Sequence, residues 1–118
     1  MEQKLFESEW KVMELVWEME PVSAKRISVV AAERIGWNKN TTYTILKKLV
    51  DKGVIRREEP GFLCTALLSK KDARRTETAD LINRIFQGSK KAFLAEFLSD
   101  ENLSREELEE IRQLIERE

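Results

Sequence analysis

The chain has 118 residues, 42% apolar and 36% charged, with a net charge of −1, which is about one domain's worth of sequence. It has no histidine and a single cysteine, Cys64, so His-based metal binding, Ser–His catalysis and an internal disulfide are all excluded. No apolar run approaches the ~20 residues of a membrane span, and the N-terminus lacks the basic-then-apolar layout of a signal peptide, so a cytoplasmic protein is expected.

Ser8 is placed to cap a first helix with Trp10, Met13, Val16 and Trp17 on one stripe, ended by Pro21. Ser23 caps a second, with Ile27, Val30 and Ala31 inward and Gly36 as its stop. Asn38 starts a third, which Gly53 ends. The apolar period then changes from 3.6 to 2. Val54–Glu58 and Phe62–Leu68 are expected as two strands around a Pro60-Gly61 turn, a pair that suits a type II turn. Three helices followed by a two-stranded hairpin is the order of a winged helix-turn-helix.

Ser69 can cap a fourth helix, Lys70 to about Gln87, with Ala79, Ile82, Ile85 and Phe86 inward. After Gly88-Ser89 comes a fifth with Phe93, Leu94, Phe97 and Leu98. Ser104 and Glu107 form a capping box, with Leu103 and Leu108 placed as a hydrophobic staple, ahead of a helix carrying Leu108, Ile111, Leu114 and Ile115. Each of these short helices has one apolar face. A second copy of the chain would cover Ile82, Ile85, Phe86, Phe93, Leu94, Phe97, Leu98, Leu108, Ile111 and Ile115. The other solution is that the helices fold back on the first domain. The expected fold is therefore mainly α with a small β-hairpin wing: a winged helix-turn-helix domain over residues 1–68 and a helical dimerisation domain over 69–118.

Charge is segregated along the chain. Trp37–Arg57 holds six basic residues (Lys39, Lys47, Lys48, Lys52, Arg56, Arg57) against Asp51 alone, Lys70–Lys91 carries a net +4, and Ala95–Glu118 a net −6. Such segregation suggests a face for a polyanion and a tail held away from it.

The third helix sharpens this. At 100° per residue, Thr42, Ile45, Leu46 and Leu49 fall on one stripe and must face the core. Opposite them lie Asn40, Thr44 and Lys47, flanked by Thr41, Tyr43 and Lys48, with Asp51 one turn later. Thr and Asn cost up to ~0.7 kcal/mol each against Ala in a helix, and a merely solvated face would use Glu, Lys or Gln. Short polar side chains fit where base edges come close: Asn pairs with adenine, a Thr methyl meets a thymine methyl, and lysines neutralise phosphates. The expected DNA contacts are Lys39, Asn40, Thr41, Tyr43, Thr44, Lys47 and Lys48, with Arg56 and Arg57 on the wing. The bland alternative is capping by Asn38 and Thr41 beside solvated lysines. A functional rival is a winged-helix adaptor that binds protein and never touches DNA; the basic, hydroxyl-rich face argues against it.

Other residues favour structural readings. Cys64 in a strand is a small core residue before it is a redox switch. Trp10, Trp17 and Trp37 suit core packing better than ligand stacking. Glu106, Glu107, Glu109 and Glu110, in a first helical turn, favour the helix dipole. With no nucleophile–base pair and no phosphate-cradling Gly loop, neither an enzyme nor a bound cofactor or metal is expected.

Four stretches together resemble a known family. "SEWKVMELVW", "WNKNTTYTILKKLVDKG", "LINRIFQGS" and "FLAEFLSDENLSREELEEIRQLI" are similar, in this order, to the opening helix, recognition helix and dimerisation helices of the BlaI/MecI/CopY family of penicillinase repressors. The chain lacks the paired C-x-C motifs of the copper-responsive branch, so it resembles the penicillinase-type branch. The resemblance implies a homodimer that binds a two-fold operator and represses transcription. It also implies a membrane sensor-protease pathway in which the C-terminal domain is cut. The family's cut lies between Asn and Phe, and the matching pair here is Glu96 and Phe97. Lys39 and Asn40 stand where the family often has Pro then Lys, and the wing is shorter than usual.

Overall fold

In the computed structural model, which describes residues 4–99 and 103–117, helical spacing of apolar side chains organises the first half of the chain. Helix α1 (Glu7–Met19) buries Val12, Met13, Leu15 and Val16. Trp10 and Trp17 pack half-buried against this core, edge to face at 5.5 Å, and Trp17 Nε1 donates to the Leu68 carbonyl at 2.9 Å. The cap is not Ser8. The helix starts one residue before it, the N-cap is Phe6, and the Phe6 N–H is satisfied by Glu9 Oε1 at 2.8 Å. Glu9 itself is buried, and the same oxygen accepts from Lys52 Nζ at 2.6 Å, while Oε2 has no hydrogen-bond partner.

Helix α2 (Ala24–Arg34) is capped as expected, with Ser23 Oγ accepting the Arg26 N–H at 3.1 Å, and it buries Ile27, Val30 and Ala31. Helix α3 (Lys39–Asp51) opens on Asn38, whose Oδ1 accepts the Thr41 N–H at 2.8 Å. Its buried residues are Thr42, Ile45, Leu46 and Leu49, the stripe the helical wheel gives. The Thr42 hydroxyl is buried without a hydrogen-bond partner. Gly53 follows α3 at φ +80, the left-handed conformation that lets the chain leave a helix sharply.

The hairpin consists of β2 (Ile55–Glu58) and β3 (Leu63–Ala66), shorter than Val54–Glu58 and Phe62–Leu68. Phe62 lies in the turn, not in a strand. Gly61 (φ +91) and Phe62 (φ +49) are both left-handed, where a type II turn needs only one such residue. A third strand, β1 (Val22–Ser23), pairs antiparallel with β3, so the sheet order is β1-β3-β2. Val22 and Arg57 flank Cys64 from either side, and Ile55 faces Ala66. Two residues carry no periodicity, so β1 leaves no trace in the hydropathy pattern. The core of α1, α2, α3 and the sheet also takes in Ala73 from α4 (Lys70–Ile85), which Ser69 caps through the Asp72 N–H at 3.1 Å.

Cys64 is fully buried in that core, and burial pushes its thiol up to about 11, with Arg57 partly opposing. Two results are expected. A thiol reagent at pH 8 should label Cys64 only after denaturation. Stability should also fall as pH rises from 9.0, where the unfolded thiol ionises, towards 11, where the folded one does, because there the unfolded state holds fewer protons. Cys64→Ala should remove this part of the pH profile; labelling of the native protein at the denatured rate would contradict the buried thiol.

Contacts divide the chain into two units, Met1–Glu77 and Thr78–Glu118, and the division runs through α4. α4 ends at Ile85, two residues short of Gln87, where Gln87 and Gly88 turn left-handed. Of its expected inward residues, Ile82 is buried and Phe86 half-buried, but Ala79 and Ile85 are exposed in the single chain. Helix α5 (Lys90–Leu98) is capped by Ser89 Oγ on the Ala92 N–H at 3.0 Å. Phe93 meets Phe86 edge to face at 5.5 Å and stacks on Phe97 at 6.2 Å. Helix α6 (Arg105–Arg117) opens on a reciprocal capping box: the Glu107 N–H donates to Ser104 Oγ and the Ser104 N–H to Glu107 Oε1, each at 3.0 Å. Neither α5 nor α6 has a buried residue. Leu94, Phe97, Leu108, Leu114 and Ile115 stay exposed, and Leu98 and Ile111 half-buried.

Candidate nucleic-acid interface

The buried stripe of α3 fixes what the opposite face presents. Lys39, Asn40, Thr44, Lys47 and Lys48 are exposed, and Thr41 and Tyr43 are half-buried. Lys39, Lys47 and Lys48 pair with no carboxylate among the described residues, so all three ammonium groups are available to an anion. Asn40 and Thr44 lie among them, one turn apart, with side chains short enough for a flat base edge to reach.

The charge of this half is smaller than a count from Trp37 to Arg57 suggests. Lys52 turns inward and is neutralised by Glu9, with its ammonium 4.6 Å from the Phe6 ring centre. The wing arginines are also paired: Arg56 Nε lies 3.3 Å from Glu58 Oε1, and Arg57 Nε is hydrogen-bonded to Glu59 Oε2. A count that stops at Arg57 leaves out both partners. The pattern Arg-Arg-Glu-Glu makes such pairing natural, because residues two apart on a strand share a face.

That alternation also separates the two arginines. Arg57 lies on the face of β2 that carries the buried Ile55, and Arg56 on the other. Contacts then join Arg57 to α3. Its guanidinium carbon sits 3.7 Å from the Phe62 ring centre, Phe62 meets Tyr43 edge to face at 6.0 Å, and Lys39 Nζ lies 5.7 Å from the Tyr43 ring. Lys39, Tyr43, Phe62 and Arg57 thus form a continuous line from the first turn of α3 to the wing. Phe62 is the residue the sequence reading left out. Its position just after Pro-Gly, where a buried aromatic can hold a turn against a helix, is the signal that could have found it. Of the acidic residues of α6, Glu107 caps and Glu109 pairs with Arg112, and no cluster able to hold a metal ion occurs among the described residues. No described helix is long and apolar enough to cross a membrane.

Comparison with known proteins extends over the same length. The penicillinase repressor family matches residues 5–117. The methicillin resistance regulatory protein MecI of Mammaliicoccus sciuri is 28% identical over 120 residues, covering 98% of each chain. The penicillinase repressor of Bacillus licheniformis is 24% identical over 115 residues, covering 96% of this chain and 90% of that one. The penicillinase repressor of Staphylococcus aureus is 26% identical over 110 residues, covering 92% and 87%. With a winged-helix first half, a helical second half and a family match across both, the chain belongs to the penicillinase repressor family, a family of transcriptional repressors and not of enzymes.

Proposed function

We propose that the protein is a cytoplasmic repressor that binds a two-fold operator as a homodimer, with α3 in the major groove and the wing against the backbone. The observation that carries this reading is the outer face of α3, where Asn40 and Thr44 lie among three unpaired lysines. Thr41, Tyr43 and the wing arginines complete the contact surface. The second copy covers the apolar side chains that α4, α5 and α6 leave exposed or half-buried, Ile85, Phe93, Leu94, Phe97, Leu108 and Ile115 among them. Relief of repression by a cut between Glu96 and Phe97, under a membrane sensor-protease, is the accompanying proposal; both residues are exposed.

The test is binding to the duplex upstream of the protein's own gene, titrated against salt. Three lysines from each of two copies neutralise about six phosphates, and affinity should fall about 10³-fold between roughly 50 and 200 mM salt. Binding that hardly changes over that range, or no binding, would favour the protein-adaptor reading. Single substitutions then test the helix register. Thr44→Ala should weaken operator binding by about 1–3 kcal/mol while leaving random-sequence binding nearly unchanged, since a base contact carries the sequence information. Lys47→Ala should weaken both by the same factor, as a phosphate contact does. Equal operator affinity for Thr44→Ala and wild type would place Thr44 away from the bases.

A further inference from the structure

We propose that Glu59 holds Arg57 in reserve, so that the wing reaches DNA only when a phosphate displaces the Glu59 carboxylate from the guanidinium. The inference rests on the DNA-binding reading above and adds a positioning residue to it.

Glu59 is tied down from two sides. Its Oε2 takes the Arg57 Nε–H, and its Oε1 accepts the Phe62 N–H at 3.2 Å. The Arg57 hydrogen bond, with the Phe62 N–H in support, holds the Glu59 carboxyl below the ordinary carboxylate range. It is therefore an anion at neutral pH, as a phosphate is, and competes for the same donor. Arg57 is meanwhile stacked on Phe62 and through it on Tyr43 of α3. The guanidinium is placed beside the recognition helix, yet its charge is already matched. Stacking on Phe62 does not use the guanidinium N–H groups, so an exchange of carboxylate for phosphate can leave the stacked position unchanged. Arg56, on the other face of β2 with Glu58, has no such link to α3 among the described residues.

Glu59→Gln is the informative change, because the amide oxygen can still accept the Phe62 N–H while the negative charge is lost. Wild type, Glu59→Gln, Arg57→Gln and the double variant are titrated on operator and on random duplex at several salt concentrations. Glu59→Gln should bind both duplexes about three- to tenfold more tightly, because a solvent-exposed ion pair no longer has to break. Its dependence of log K on log salt should steepen by up to about 1.8, two more phosphates neutralised, one by each copy, without a carboxylate to re-solvate. In the Arg57→Gln background the same change should have little effect. A Glu59→Gln gain of equal size with and without Arg57 would mean that Glu59 merely repels DNA, and would overturn the inference. So would unchanged or weaker binding by Glu59→Gln while wild type binds normally; that outcome leaves the DNA-binding reading intact. Wild type that binds neither duplex would overturn both.

Discussion

A chain truncated before Ser89 is expected to fold, to be monomeric, and to bind its full operator about 10²–10⁴-fold more weakly than the intact protein. Folding should survive because the first unit carries its own core, from Leu5 to Ala73, and no core residue of that cluster lies in α5 or α6. The removed segment holds Phe93, Leu94, Phe97, Leu108, Leu114 and Ile115, apolar side chains that the single chain leaves exposed or half-buried. Without them two copies would lose the surface proposed to join them. Each remaining unit must then find its half-site alone, and the effective concentration that a linked partner provides is lost. The face of α3 is untouched, so affinity for a single half-site should stay near that of one unit of the intact protein. Sedimentation measures the first part and a gel shift the second. A truncated chain that stays dimeric and binds at full strength would move the interface into residues before Ser89.

Glu9→Ala should destabilise the protein by about 2–4 kcal/mol. The substitution strips a buried carboxylate that anchors both the start of α1, through the Phe6 N–H, and the end of α3, through Lys52. Losing one partner of a buried pair costs ~3–5 kcal/mol, and Lys52, with its side chain 28% exposed, recovers part of that by turning to water. Replacing both residues together, Glu9→Met with Lys52→Met, should restore most of the stability, since an apolar pair of similar volume avoids desolvating two charges. The Glu9 Oε2 that has no partner makes that outcome more favourable still. Urea unfolding of the single and double variants measures both effects; a single variant within experimental error of wild type would show that the pair does not hold the helices together.

How much of this was legible in the sequence depended on range. Helical stripes are local and repeat, so the core face of α3 and the caps Ser23, Asn38, Ser69 and Ser104 could be placed residue by residue. Ser8 failed as a cap because the chain is already helical from Glu7, with Glu9 reaching back to the Phe6 N–H, and two polar side chains so close give no local basis for choosing. The Glu9–Lys52 pair joins residues 43 apart, and nothing in a charge count reveals that Lys52 is spent inside the fold. Strand β1 exists only because β3 offers it an edge. The wing pairs were different: alternation along a strand puts Arg57 beside Glu59, so their pairing was readable, but a charge window ending at Arg57 concealed it. The aromatic link from Arg57 through Phe62 to Tyr43 needs three elements in place at once; a Phe just after Pro-Gly marks its middle, but the one-dimensional pattern does not name the partners on either side.

The bond between Glu96 and Phe97 lies in the last turn of α5, a helix of nine residues. A protease draws its substrate out in extended form, so a cut there must wait until α5 comes undone. Helices shorter than ~12–15 residues are marginal in water unless something packs against them. When reclosing is faster than cutting, the rate of cleavage follows the fraction of time the helix is open. Under the proposed cut, a second copy covering Leu94 and Phe97 would therefore set a clock: tight cover would make a slow substrate, and each moment of exposure a fast one, with no change in the protease itself.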